Sequence, residues 1–356
     1  MLVLVLAVAT VALLARAGDG LATTAPAHLT ASAGSPAASP GVTTIPARLR
    51  IYRMPNAGAD LMQPAVGPDG RIWFGEMGTN QLAALDPATG AVVTWAPPHG
   101  QFGIMDVAVA PDGTVWFTEQ ASDYIGRFDP RRATFTTYPL AAARGHPAAP
   151  QDIAIDGNGT IWFTEVSSGM IGRLDPTTGK VKTYLVPTDG SAAAYPFGVA
   201  LDAHGAVWFS ELTAGIVGRL DPATGAVRRY HAPTRDAQIF ALALDPAGRV
   251  WFTELQYGRL GMLDPATGAV REIAVPAASG SARNLYGVVA ARDGTIWAAA
   301  MGQNAIARYE PARNTFTMLA LPDASSVPYG ITQDAAGNVW FTADLDPINY
   351  VARIER

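Results

Sequence analysis

Between residues 47 and 356 apolar and polar positions alternate with a period of two, in short runs separated by clusters of Gly, Asp, Asn and Pro. That period places successive side chains on opposite faces of a strand, and the clusters supply the dihedral angles that tight turns need. The second copy of the pattern shows the parts. Asp106 to Ala110 is a short alternating run, and Pro111 to Gly113 makes a turn. Thr114 to Glu119 is the next run. Tyr124 to Phe128 and Phe135 to Tyr138 follow, with Asp129-Pro130 opening the turn between them. Four strands therefore make one unit. No stretch of this region carries a helical period.

The unit repeats. Trp73, Trp116, Trp162, Trp208, Trp251, Trp297 and Trp340 follow one another at gaps of 43 or 46 residues. Each stands in a near-copy of one phrase: Val or Ile, Trp, usually Phe, then Gly, Ser or Thr, then often Glu. Periods in the forties with four strands per repeat mark propeller blades. The fold predicted is all-β: a seven-bladed β-propeller of four-stranded antiparallel blades. The last copy stops after its third strand, while Leu49 to Pro55 resembles the fourth strands at Val181 to Pro187 and Val227 to Pro233. The N-terminal strand should thus complete the last blade and close the ring, removing open edges.

Composition refines this picture in three ways. About 310 residues are left for the ring, enough for a large core without staples. The absence of Cys excludes disulfides, thiolate metal sites and Cys nucleophiles. A formal charge of −5 without a basic run argues against nucleic acid as a partner. Residues 2–14 are almost wholly apolar, and Ala15-Arg16-Ala17 offers small residues where a signal peptidase reads. Residues 1–17 are expected to be a signal peptide, too short for a membrane span. Residues 18–46, rich in Ala, Thr, Ser and Pro, are expected to be a disordered linker. The propeller is expected to span 47–356, exported and monomeric, with no transmembrane segment after cleavage.

Candidate chemistry gathers where first strands begin and second strands end, at one mouth of the channel. The two positions recur fourteen residues apart: Met62 with Glu76, Met105 with Glu119, Gln151 with Glu165, Phe197 with Glu211, Phe240 with Glu254, Tyr286 with Ala300, and Tyr329 with Ala343. Glu119, Glu165, Glu211 and Glu254 are read in two ways. Either they are structural, bonded to turn amides or to arginines such as Arg127, Arg173 or Arg219, or they form a ring of oxygen ligands for Mg or Ca. Phe197, Phe240, Tyr286 and Tyr329, with Tyr195 beside them, make an aromatic arc; Asp106 and Asp152 give the opposite side an acidic character. The arc either packs the channel or offers a platform for a small-molecule or peptide ligand.

The repeat phrase closely resembles the streptogramin B lyase (virginiamycin B lyase) family. Matching copies include Ile161-Trp162-Phe163-Thr164-Glu165 with Ile171-Gly172-Arg173-Leu174, and Tyr195-Pro196-Phe197-Gly198-Val199. The resemblance runs through all seven blades and implies a Mg-dependent lyase that opens a cyclic depsipeptide by elimination. It also implies His at the positions of Tyr286 and Tyr329, Glu at those of Val327 and Ala343, and Tyr at that of Met62. All five are replaced here. The expectation is a propeller of this family without the lyase centre, binding a small molecule or peptide at the channel mouth. Two enzymatic alternatives stay open. One is a lyase whose site has moved to Glu119, Glu165, Glu211 or Glu254 with Asp106 or Asp152. The other is a metal-dependent lactone hydrolase resembling the gluconolactonase-type propellers, with Asn284 and Gln238 as amide ligands.

Overall fold

A computed structural model describes residues 39–355 apart from residues 100–102, 189–193, 278–283, 324–325 and 345–348. The signal peptide and most of the linker expected from the sequence lie outside the described residues. Seven sheets follow one another in chain order, each led by a first strand on the channel and ending on the rim. Blade two is typical, with strands Ile104–Val109, Val115–Glu119, Tyr124–Asp129 and Thr134–Pro139. Ring closure is as the sequence implies. Leu49–Arg53 pairs antiparallel with Tyr350–Ile354 and supplies the fourth strand of blade seven. The one helical element among the described residues is a single 3₁₀ turn, Met301–Gln303; no helix there is long and apolar enough to cross a membrane.

The repeat phrase glues neighbouring blades because adjacent side chains of a strand face opposite ways. Trp162 packs toward blade four against Val207 and Phe209, whereas Phe163 packs toward blade two against Trp116 and Ile125. Both rings are essentially buried, and a phenyl of that kind stabilises the fold by about 1.5–3 kcal/mol. Gly172 lies directly across from Phe163, and a Cβ there would stand 2.1 Å from the ring, so the third strand needs glycine at that point. The indole of Trp162 donates to Asp156 of the first turn at 3.1 Å and stacks on Tyr184, with the Arg173 guanidinium 5.7 Å from its centre.

A second set of contacts bolts the ring together around the channel. The Thr164 hydroxyl accepts a bond from the Asp152 N–H at 3.1 Å and donates to the Phe197 carbonyl of the next blade at 2.8 Å. Thr118, Ser210 and Thr253 repeat this arrangement toward Gln151, Phe240 and Tyr286. Ala299 stands at that position in blade six. There the backbone takes over, and Gly287 N–H donates straight to the Tyr329 carbonyl at 2.9 Å.

One boundary differs from the sequence reading. Gly41–Pro46, expected within the disordered linker, is a fifth strand on the rim of blade six. It pairs parallel with Thr315–Ala320 over its whole length. Every residue of it is exposed, so its pairing rests on backbone bonds and leaves no hydrophobic pattern to read. Ala47 N–H continues the pairing to the Ala320 carbonyl at 2.8 Å.

Candidate functional site

The first and second strands meet one residue out of step with the fourteen-residue couples. Directly opposed pairs are Ile104 with Glu119, Pro150 with Glu165, Pro196 with Glu211 and Ile239 with Glu254. A bulge follows in each first strand, between Ile104 and Val107 in blade two and at the matching places elsewhere. An extra residue in one strand swings its side chains onto a new heading. Met105 and Asp106 therefore line the channel, and the glutamates do not.

Two of the glutamates are held by groups of their own blade, while the carboxylate oxygens of Glu119 and Glu254 accept no hydrogen bond among the described residues. Glu165 accepts from Ser168 at 2.7 Å, and Glu211 is gripped by Arg229 through two bonds of 2.9 and 3.2 Å. Glu254 lies 3.9 Å from Arg259, which pairs more closely with Glu272 at 2.8 Å. Burial, then the neighbouring Glu272 charge, pushes the Glu254 carboxyl up to about 8. Burial also raises Glu119 and Glu165. The arginines named from the sequence go elsewhere: Arg127, Arg173 and Arg219 lie over the indoles of Trp116, Trp162 and Trp208. The four glutamates are not brought together, and among the described residues no group of three or more His, Asp or Glu side chains converges on one point.

The aromatic arc is a packed layer across the channel. Phe240 sits at its centre, with ring centres 4.7 Å from Phe197, 4.9 Å from Tyr286 and 5.9 Å from Tyr329. Tyr286 and Tyr329 are 5.0 Å apart. Met62 and Met105 join the same core, and all six side chains are buried. Tyr195 lies beside the layer, partly buried. Edge-on and tilted contacts at these distances are the favoured geometry for aromatic pairs. Of the two readings of the arc, packing is the one the side chains follow: it forms a plug.

Beneath the plug lies a cavity of about 400 Å³. Phe197, Phe240 and Tyr329 form its ceiling, Asp106 and Asp152 one wall, and Gln63 and Gln151 lie alongside; Tyr286 and Tyr195 stand outside it. Its far end is marked by the partly exposed Val66, Val109 and Gln333, so it faces the end of the ring that carries the first turns. The two acids face each other. Asp106 accepts from Val107 N–H at 2.7 Å and Ile153 N–H at 3.2 Å; Asp152 accepts from Ile153 N–H at 2.8 Å and Val199 N–H at 2.7 Å. Burial, and then the Asp152 carboxylate, raises Asp106 well above the usual carboxylate range, and burial raises Asp152 too. Two facing carboxyls in this condition resist carrying two negative charges at once. Tyr329 is also raised well above its ordinary value, by burial first and then by Tyr286, Asp106 and Asp152.

With this geometry in view, comparison with known proteins places the chain. The sequence profile described as the Virginiamycin B lyase family matches residues 39–309. The chain belongs to that family. A solved streptogramin B lyase superposes with a TM-score of 0.77 at 27% identity, over 86% of this chain and 98% of the other. The virginiamycin B lyase from Staphylococcus aureus gives the same TM-score at 24% identity, over 87% and 99% of the two chains. A catalytically inactive form of it with quinupristin matches equally well, at 24% identity over 86% and 99%. No curated protein sequence matches this chain.

Membership sharpens the meaning of the plug. Met62, Tyr286, Tyr329 and Ala343, four of the five positions where the resemblance implies lyase chemistry, are buried in one hydrophobic core; Val327, the fifth, is partly exposed. Two phenols, two aliphatic groups and a thioether offer no hard anionic oxygen, so this donor set does not fit Mg.

Proposed function

We propose that this protein is a binding member of the virginiamycin B lyase family, without the family's elimination centre, that takes a small molecule in the channel beneath the aromatic plug. The observation that carries the reading is the interlocking of Met62, Phe240, Tyr286 and Tyr329 where the resemblance implies the lyase's catalytic groups. Elimination needs a base within reach of the proton it removes. The phenols of Tyr286 and Tyr329, both raised by burial, stay protonated at neutral pH and cannot serve. A cavity of about 400 Å³ walled by aromatic rings and a few polar groups has the size and chemistry of a small-molecule site. Export belongs to the same reading, supported by the apolar residues 2–14 and the Ala-Arg-Ala that follows them.

The deciding experiment is prolonged incubation of the protein from residue 18 onward with a streptogramin B antibiotic and Mg, read by mass spectrometry and chromatography. The antibiotic is expected to stay cyclic. Accumulation of the linear product above a protein-free control would overturn the reading.

A further inference from the structure

We infer that the channel cavity is a site for a small organic cation, a primary or secondary amine, held by the facing carboxyls of Asp106 and Asp152, the Tyr329 hydroxyl and the faces of Phe197 and Phe240. The inference rests on the reading that this propeller binds in its channel, and names the chemistry of the ligand. Most polar groups of the cavity are already committed. Gln63 closes both ends of its amide on the Ile331 backbone, at 3.0 and 3.3 Å. Gln151 accepts from Gln120 at 2.6 Å, and Gln333 accepts from Arg292 N–H at 3.1 Å while donating to Gly337 at 3.2 Å. With the partly exposed Thr332 hydroxyl aside, Tyr329 is the exception. It is 5% exposed, lines the cavity, and its hydroxyl makes no hydrogen bond among the described residues. A phenol so placed is free to bond whatever occupies the cavity.

The acids add a second sign. Each of their four oxygens accepts one backbone N–H and keeps a free lone pair. No Lys, Arg or His lines the cavity, so whatever negative charge the pair carries has no cationic partner there. A buried charge in that state is costly, and a cation entering the cavity relieves it. An ammonium N–H can reach the spare lone pairs of the acids and of the phenol. The aromatic ceiling then receives the rest, since a ring face attracts a cation set over it. An anion would meet the two acids, with only neutral donors such as the phenol, the Thr332 hydroxyl and the Gln151 amide to set against them. A divalent metal ion would have to bring most of its coordination sphere as water, since the cavity offers it only the two carboxyls as anionic ligands.

The test uses butylammonium as probe, with butan-1-ol and butyrate as neutral and anionic counterparts at matched ionic strength, read by melting temperature and calorimetry. Stabilisation by butylammonium alone is expected. Tyr329→Phe, which keeps the ring and its packing, should weaken binding about tenfold, as should Asp152→Asn provided circular dichroism shows it folded. Equal stabilisation by the alcohol would refute the cation and leave a channel site standing. No response to any of the three probes, or full binding by Tyr329→Phe, would refute the inference outright. Neither result touches the absence of lyase activity, which the ring-opening assay decides separately.

Discussion

Replacing Thr164 by Val puts the bolting of the blades to a quantitative test. The substitution keeps the side-chain shape and exchanges a hydroxyl for a methyl at a fully buried site. Two bonds vanish together, from Asp152 N–H at 3.1 Å and to the Phe197 carbonyl at 2.8 Å. Neither partner can turn to water, and each orphaned buried group costs about 1–3 kcal/mol. The expected loss is therefore about 2–6 kcal/mol, a large share of the roughly 5–15 kcal/mol that separates folded from unfolded domains. Thr164→Ser is the control. It keeps both bonds and removes one methyl, for about 1 kcal/mol. Urea unfolding of the three proteins, followed by Trp fluorescence, gives the comparison through the midpoints if the slopes agree. A Val variant as stable as the Ser variant would show that the hydroxyls only fill space, and the account of blade-to-blade bonding would fall.

Two further outcomes follow from burial and closure. Between its ordinary value near 4.5 and about 8, Glu254 keeps its proton in the native state and loses it in the unfolded chain, so stability falls as pH rises through that window. Glu254→Gln should accordingly stabilise the protein more at pH 8 than at pH 5, with Asp106 and Asp344 supplying the slope that remains; an equal effect at both pH values in urea melts would contradict the burial argument. Removing residues up to 46 should lower the melting temperature by only a few degrees, because that strand is exposed throughout. Removing residues up to 55 takes away the buried Tyr52 and Met54 with the closing strand, and should abolish the cooperative transition seen by calorimetry.

The ring was legible because its information is local and repeated. Seven tryptophans count the blades, and Leu49 to Pro55 betrays its place by resembling other fourth strands. The site was less so, for reasons of geometry. A period of two tells which side chains share a face, and a bulge of one residue moves them off it. The couples counted fourteen apart are fifteen apart in the sheet, which takes the glutamates from the channel and gives it Asp106 and Asp152. Alternation likewise says nothing of how closely side chains from several blades converge on the axis, so the arc could be foreseen while the choice between packing and platform stayed open. The bolting hydroxyls were in plain view, fourth in five of the seven repeat phrases, yet looked like ordinary strand residues. Their signal is the same small hydroxyl after Trp-Phe in five copies, at Thr118, Thr164, Ser210, Thr253 and Thr342, where polarity in a buried strand needs a partner.

The strand at Gly41–Pro46 also decides how force enters the molecule. It runs along the outermost edge of blade six, at the circumference of the ring and well away from the channel axis. Only Ala47 and Arg48 separate this strand from the closing strand, and both are pinned, by the Ala320 carbonyl and by Glu355 N–H at 2.8 Å each. A pull applied at Gly41 is therefore spent first on six residues of pairing in blade six. The latch of the ring in blade seven feels tension only after that anchorage has torn free.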